Sequence, residues 1–219
     1  TYIAVRGLIA LAAGLALILW RGGLTWLFLA LGAFFLLFYT FPLKYIALGE
    51  LAVLLVWGPL MIGGGYYVLT GTWSWKVVIA SLPYALGVTT VIFGKHIDKY
   101  LEDKAKGIHT LPVVLGERLS RGIVLAMTLM QYLLVIYLVA VRFFSPIMLI
   151  VVVALPTFRT IFEIYKEPKP KEEPPGYVAG VWPLYYVAAA FYHNRRFGLF
   201  FLLGLVLDTV LRLTGIFTT

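Results

Sequence analysis

The sequence predicts an all-α, polytopic integral membrane protein, and three observations carry that prediction. Of 219 residues, 62% are hydrophobic and 13% charged, with a mean hydropathy of +0.94. Soluble domains carry roughly 45–50% apolar and about 25% charged residues. The apolar residues form continuous Leu/Val/Ala-rich runs and not the short alternating strands of an outer-membrane barrel, so the spans are helices. The basic residues, which give a net charge of +8, gather on one side of those runs, as cytoplasmic loops do. That distribution makes the lipid bilayer, and not nucleic acid, the partner of the positive charge. There is no cysteine, which excludes disulfides, a thiol nucleophile and zinc–thiolate sites.

A helix needs about 20 apolar residues to cross a bilayer. Seven runs qualify: 2–20, 24–40, 47–69, 76–94, 121–141, 145–164 and 196–214. The first opens almost at Thr1, with no Met, charged n-region or cleavage site before it, so we expect the sequence to begin partway along a longer protein. WRGG (20–23) reads as a tight turn into the second run, and VRFFSP (141–146) as another before the sixth. GGG at 63–65 is the one place where the third run invites interruption. Arg159 falls inside the sixth run, where a cation is costly unless it is paired or faces a cavity. YKEPKPKEEPPG (165–176) is Pro- and charge-rich and reads as an extended, mobile linker. YVAGVWPLYYVAAAFY (177–192) is short, aromatic and broken by Pro183, so it reads as interfacial or re-entrant. HNRR (193–196) then closes the cytoplasmic end of the last span.

Charge counting supports this topology. With 177–192 left out as a span, one side carries only Arg21, Lys76, Arg142 and Arg212. Apart from Arg159, the other 13 of the 18 Lys and Arg residues lie opposite. Counting 177–192 as a crossing weakens the asymmetry to 11 against 6. The seven-span arrangement fits the positive-inside rule better and puts GKHIDKYLEDKAKGIHTLPVVLGE (94–117) in the cytoplasm.

That charged stretch sits in a loop, 94–120, between two greasy runs. Residues 95–106 read as a short helix supported by a Lys99–Asp103 pair at i,i+4, with Gly107 as its stop. On such a helix Asp98, Glu102 and Asp103 fall at i, i+4 and i+5, on one side. Grouped carboxylates at a membrane surface suit Mg²⁺, which takes oxygen ligands and often holds substrate phosphates. Lys95, Lys99, Lys104 and Lys106 offer further positive charge for phosphate. The alternative is a solvated loop whose charges only fix topology. His96 and His109, 13 residues apart, do not read as a zinc site.

The flanking residues add a resemblance. D-K-A-K-G-I-H-T-L-P-V-V-L-G (103–116) resembles the second aspartate-rich motif of the UbiA superfamily of intramembrane prenyltransferases. Asp103 matches the second acid of that motif's D-x-x-x-D pair. Strict spacing puts Lys99 at the first, and Asp98 stands one residue further back. YTFPLKYIALGELAVLLVWGPLMIGGGYYVLTG (39–71) resembles the tyrosine–lysine loop and following helix of the same superfamily, most closely its dihydroxynaphthoate-prenylating, menaquinone-route branch. There Lys44 would touch a diphosphate, and Tyr39 or Tyr45 would line the pocket.

The resemblance implies nine helices around a central cavity, forming one domain over 1–219 that is incomplete at its N-terminus, with 94–120 as a cytoplasmic cap. It implies two further helices, with the first acid-rich motif, before Thr1. It also implies Mg²⁺-dependent transfer from a prenyl diphosphate to a lipid-soluble aromatic acceptor, a quinone precursor. The expected site is Asp98, Asp103 and Lys44 as catalytic residues and Asp98, Asp103 and Glu102 at the metal. Tyr39, Lys44, Tyr45, Lys95, Lys99 and Lys104 are expected on the substrate. Tyr66 and Tyr67 are further aromatic candidates for steadying an allylic cation. Glu50 either orients Lys44 or sits in the headgroup layer. A glycerol-phosphate lipid or a porphyrin is the competing acceptor, and a secondary transporter with a broken third span is the competing class.

Overall fold

The structure, a computed structural model, describes residues 2–217, residues 2–4 through their backbone only. Nine helices follow one another among the described residues. They are α1 (Tyr2–Arg21), α2 (Thr25–Phe38), α3 (Gly49–Thr70), α4 (Trp75–Asp98), α5 (Tyr100–Ala105), α6 (Leu111–Leu115), α7 (Glu117–Ala140), α8 (Pro146–Lys166) and α9 (Tyr186–Leu213). All seven predicted spans are helical. Four of them, α3, α4, α7 and α8, are long and apolar enough to cross a membrane, and α2 is apolar but shorter. The protein is therefore an all-α, multi-pass membrane protein.

The bundle is organised around α4, which packs against α3, α7 and α9. Six of its eleven buried positions are small, Ser81, Ala85, Gly87, Thr89, Thr90 and Gly94, residues that let neighbouring backbones approach within a membrane. The hydroxyls of Ser81, Thr89 and Thr90 donate to carbonyls three or four residues back. Inside a helix bundle those hydroxyls therefore need no partner on another helix. α9 also packs along the first half of α8. At the foot of the bundle Asp208 of α9 accepts from Ser145 N–H at 2.6 Å and from Arg212 Nε at 2.8 Å. Arg212 in turn donates to Phe143 O at 2.7 Å. The VRFFSP turn is thereby fixed to the end of α9.

Several expectations need correction. α3 runs through GGG without a break. Its winding loosens to π geometry over Val56–Gly63, around Pro59, which removes one backbone donor. The feature that favoured a transporter is thus absent. The helix expected over 95–106 is two helices, because α4 continues to Asp98 and the chain bends at Lys99 before α5 begins. The run 177–192 divides. Residues 177–185 are non-helical, while 186–192 form the first turns of α9.

α9 begins ten residues earlier than expected because Asp98 satisfies its orphan donors. The carboxylate accepts from Tyr186 N–H at 3.1 Å and from Val187 N–H at 2.9 Å. Gly94 permits this docking, since a β-carbon there would lie 2.9 Å from Val187 Cα and 3.0 Å from the Tyr186 carbonyl carbon. His193–Arg196 consequently lie inside the helix and not at its end. His193 is fully buried and bonds Thr157 Oγ1 at 2.7 Å. Arg159 lies on the exposed face of α8, not in the interior. The linker after α8 is not wholly extended either, because Lys169 folds back onto Asp98 at 3.1 Å.

Candidate active site

The two stretches singled out in the sequence meet in space. The loop between α2 and α3 turns through a short 3₁₀ segment, Leu43–Tyr45, which Lys44 N–H ties to Tyr39 O at 3.0 Å. It lies against the 94–120 loop, and Ile46 and His109 form an isolated parallel β-bridge. Lys44 Nζ stands 3.7 Å from Asp103 Oδ1. Beneath them Glu50 of α3 is buried. Its Oε1 lies 2.6 Å from His96 Nδ1 of α4, and its Oε2 accepts Leu111 N–H at 3.4 Å. Glu50 thus links three elements and does not orient Lys44 directly.

The local chain explains how Asp103 comes to face Lys44. α5 ends in a Schellman arrangement, with Ile108 N–H donating to Asp103 O at 2.9 Å and Gly107 N–H to Lys104 O at 3.2 Å. Gly107 supplies the required φ of +65°. That turn reverses the chain and buries the Asp103 side chain to 4% exposure. Its second oxygen, Oδ2, is buried with no partner among the described residues. Thr110 Oγ1 and His96 Nε2, on the same two segments, are buried and unpartnered as well. Buried polar atoms rarely go unsatisfied, which makes the Asp103 oxygen a candidate for a bound partner.

The remaining expected residues disperse. Asp98 is buried but committed: besides capping α9 it pairs with Lys169. Asp98 and Glu102 line a separate polar hollow of about 390 Å³ with Glu117, Lys169 and Lys171. Glu102 is exposed and held by Lys106 at 2.6 Å and Lys99 at 3.9 Å, so the expected Lys99–Asp103 pair is replaced by Lys99–Glu102. The hydrogen bond from Lys106, with its charge and that of Lys99, pulls the Glu102 carboxyl below its ordinary range. Asp98, Glu102 and Asp103 do not converge, because the bend at Lys99 separates them. Among the described residues no three His, Cys, Asp or Glu side chains group to hold a metal. Lys95, Lys99 and Lys104 point to solvent, Lys104 over the Tyr100 ring at 5.8 Å. Tyr45 is exposed against Phe41. Tyr66 and Tyr67 stand at the other end of α3, where Tyr67 Oη accepts Leu24 N–H, too far along the bundle to serve this site.

Tyr39 occupies the junction between charge and oil. Its ring lies beside Gly49 and Lys44, and it lines an apolar groove of about 600 Å³ with Phe35, Val53, Trp57, Val88 and Ile92. That groove runs between α2, α3 and α4. Lys44 and Asp103 do not line it; Tyr39, whose carbonyl accepts Lys44 N–H, is the residue that joins the charged pair to the groove.

The sequence has relatives. The UbiA prenyltransferase family profile matches residues 3–176. The chain belongs to the UbiA prenyltransferase family. This UbiA chain is 30% identical over 94 residues to a 2-carboxy-1,4-naphthoquinone phytyltransferase of Synechocystis, covering 43% of this chain and 31% of that protein. It is 33% identical over 92 residues to UbiA prenyltransferase domain-containing protein 1 of Danio rerio, covering 42% of this chain and 27% of that protein. The human protein of that name is 29% identical over 77 residues, covering 35% and 23%. The matched segments span less than a third of those relatives' length. No solved structure matches.

The pairing of Glu50 with His96 is invisible to sequence reasoning. The two residues stand 46 apart on different helices, and neither spacing nor periodicity connects them. An acid in the first turn of an apolar helix was the one available signal.

Proposed function

We propose that this UbiA-family chain transfers a prenyl group from a prenyl diphosphate to a lipid-soluble aromatic acceptor, with Mg²⁺ as cofactor and the α2–α3 and 94–120 loops on the cytoplasmic side. The observation that carries the proposal is the Lys44–Asp103 pair, with its unpartnered buried oxygen, tied through Lys44 N–H to Tyr39, which lines the apolar groove.

The donor set suits magnesium in part. Mg²⁺ is commonly bound by one or two carboxylates together with substrate phosphates and water. Asp103 Oδ2 is a buried oxygen in need of a partner, so Asp103 would hold the ion. Asp98 has both oxygens engaged and serves as a positioning residue that fixes α9. Glu102, at the rim, lies outside the pair. Mg²⁺, when bound, would neutralise the diphosphate and ease its departure.

The chain's own residues supply the rest. Lys44 offers a point charge to the diphosphate oxygens. The groove takes the isoprenoid tail and excludes water that would capture an allylic cation. The Tyr39 ring, at the groove's upper end, offers its face to that developing charge. The allylic C–O bond breaks with its electron pair leaving on the diphosphate. The acceptor's ring carbon forms the new bond and then loses its proton. A naphthoquinone precursor is the first acceptor to test, because one relative is named for a 2-carboxy-1,4-naphthoquinone.

The test is transfer of a labelled prenyl group by the full chain in bilayer discs, across naphthoate, glycerol-phosphate and porphyrin acceptors. We expect product with the naphthoate, lost in EDTA and reduced about 100-fold or more in Asp103→Asn. Undiminished transfer by the variant would remove Asp103 from the chemistry. Product with only the glycerol-phosphate lipid would move the protein to another acceptor class.

A further inference from the structure

At the end of the bundle opposite Lys44 and Asp103, a cavity of about 760 Å³ opens between the start of α4, the turn after α7 and the end of α9. Three cations line it: Lys76, Arg142 and Arg212. Arg212 is matched by Asp208 at 2.8 Å, and Asp208 also accepts Ser145 N–H. Lys76 and Arg142 have no side-chain partner among the described residues, so the cavity carries a net charge of about two. These are three of the four cations on this face of the protein. The fourth, Arg21, is spent on the Val68 and Leu69 carbonyls at the end of α3. A face that otherwise holds so few basic residues thus gathers them around one opening. Arg142 also sits at φ 57°, a left-handed conformation that costs a non-glycine residue about 1 kcal/mol and that glycine would adopt readily.

Beside Ser74, two tyrosines and the paired Asp208, the remaining walls are apolar, including Val77, Leu138, Val141 and Phe144. A soluble anion gains nothing from such walls, whereas a lipid fills both halves: phosphate between the cations, hydrocarbon along the helices. We propose that this cavity binds the phosphate head of an anionic membrane lipid between Lys76 and Arg142, with its acyl chains against those apolar walls. Each basic residue near an anionic head is worth about fivefold in affinity, so the pair should give about 30-fold.

Native mass spectrometry of the detergent-solubilised full chain tests this, with phosphatidylglycerol, phosphatidylcholine and inorganic phosphate as probes. The expected result is about 30-fold preference for phosphatidylglycerol over phosphatidylcholine. Lys76→Gln/Arg142→Gln should abolish that preference, and Lys171→Gln, at the other end of the bundle, should keep it. Should the double variant fail to fold, Lys76→Gln alone, at an exposed position, should lose about fivefold. Equal retention of the two lipids, unchanged preference in the charge-removal variants, or displacement of the lipid by phosphate at equal concentration would each overturn the proposal.

Discussion

Asp103 and Glu102 are neighbours in sequence with opposite circumstances. Asp103 is buried with one oxygen near Lys44 and the other unpartnered, while Glu102 is exposed and already salt-bridged. Exposed pairs of that kind contribute little, so Glu102→Gln should change transfer by less than about threefold, measured as kcat/KM. Lys44 is different, because its charge faces the site. Lys44→Met should raise KM for the prenyl diphosphate about 10- to 100-fold, from the loss of one charge-assisted contact worth about 1.5–3 kcal/mol. A KM unchanged in Lys44→Met would show that the lysine serves only as a counter-ion for Asp103. The sequence placed both acids at the metal, with Asp103 alone of the two matched to the motif. Their opposite placement depends on how α5 docks, with the turn at Gly107 folding the chain back over Asp103 and leaving Glu102 in water.

At the scale of elements, Asp98 shows what the sequence hides. Its place near the second acid of the motif suggests a metal ligand, yet it caps α9 and holds Lys169. Asp98→Ala should therefore act on stability. We expect a loss of about 3 kcal/mol, seen as a lower melting temperature in detergent and faster proteolysis between 167 and 185. A variant that melted like the parent but lost Mg²⁺-dependent substrate binding would return Asp98 to the metal. The helices themselves were readable, because apolar runs of bilayer length dictate them: all seven predicted runs are helical, and four are long and apolar enough to cross a membrane. Their ends were not. The start of α9 depends on a carboxylate 88 residues away and on the space left by Gly94, and such long-range contacts leave no local pattern. The π-wound middle of α3 was similarly hidden, since GGG drew attention while Pro59 determined the winding.

For the whole molecule, two oppositely equipped ends emerge from one bundle. One end joins the α2–α3 and 94–120 loops, with Tyr39 leading into an apolar groove, and the other gathers Lys76 and Arg142 around a separate cavity. The pattern of Lys and Arg along the chain announced that polarity, and motif resemblance singled out the end proposed to carry chemistry. The buried Glu50–His96 link that braces the site came only from the fold. The central claim is that Asp103 and a divalent ion together grip the diphosphate head of an isoprenoid. Equilibrium binding of a fluorescent prenyl diphosphate to the full chain in bilayer discs, with and without Mg²⁺, tests it without any acceptor. Binding should weaken at least about 100-fold on removing Mg²⁺, by a similar factor in Asp103→Asn, and by little more when both changes are combined. Tight binding in EDTA, or an Asp103→Asn variant that still responds fully to Mg²⁺, would contradict it.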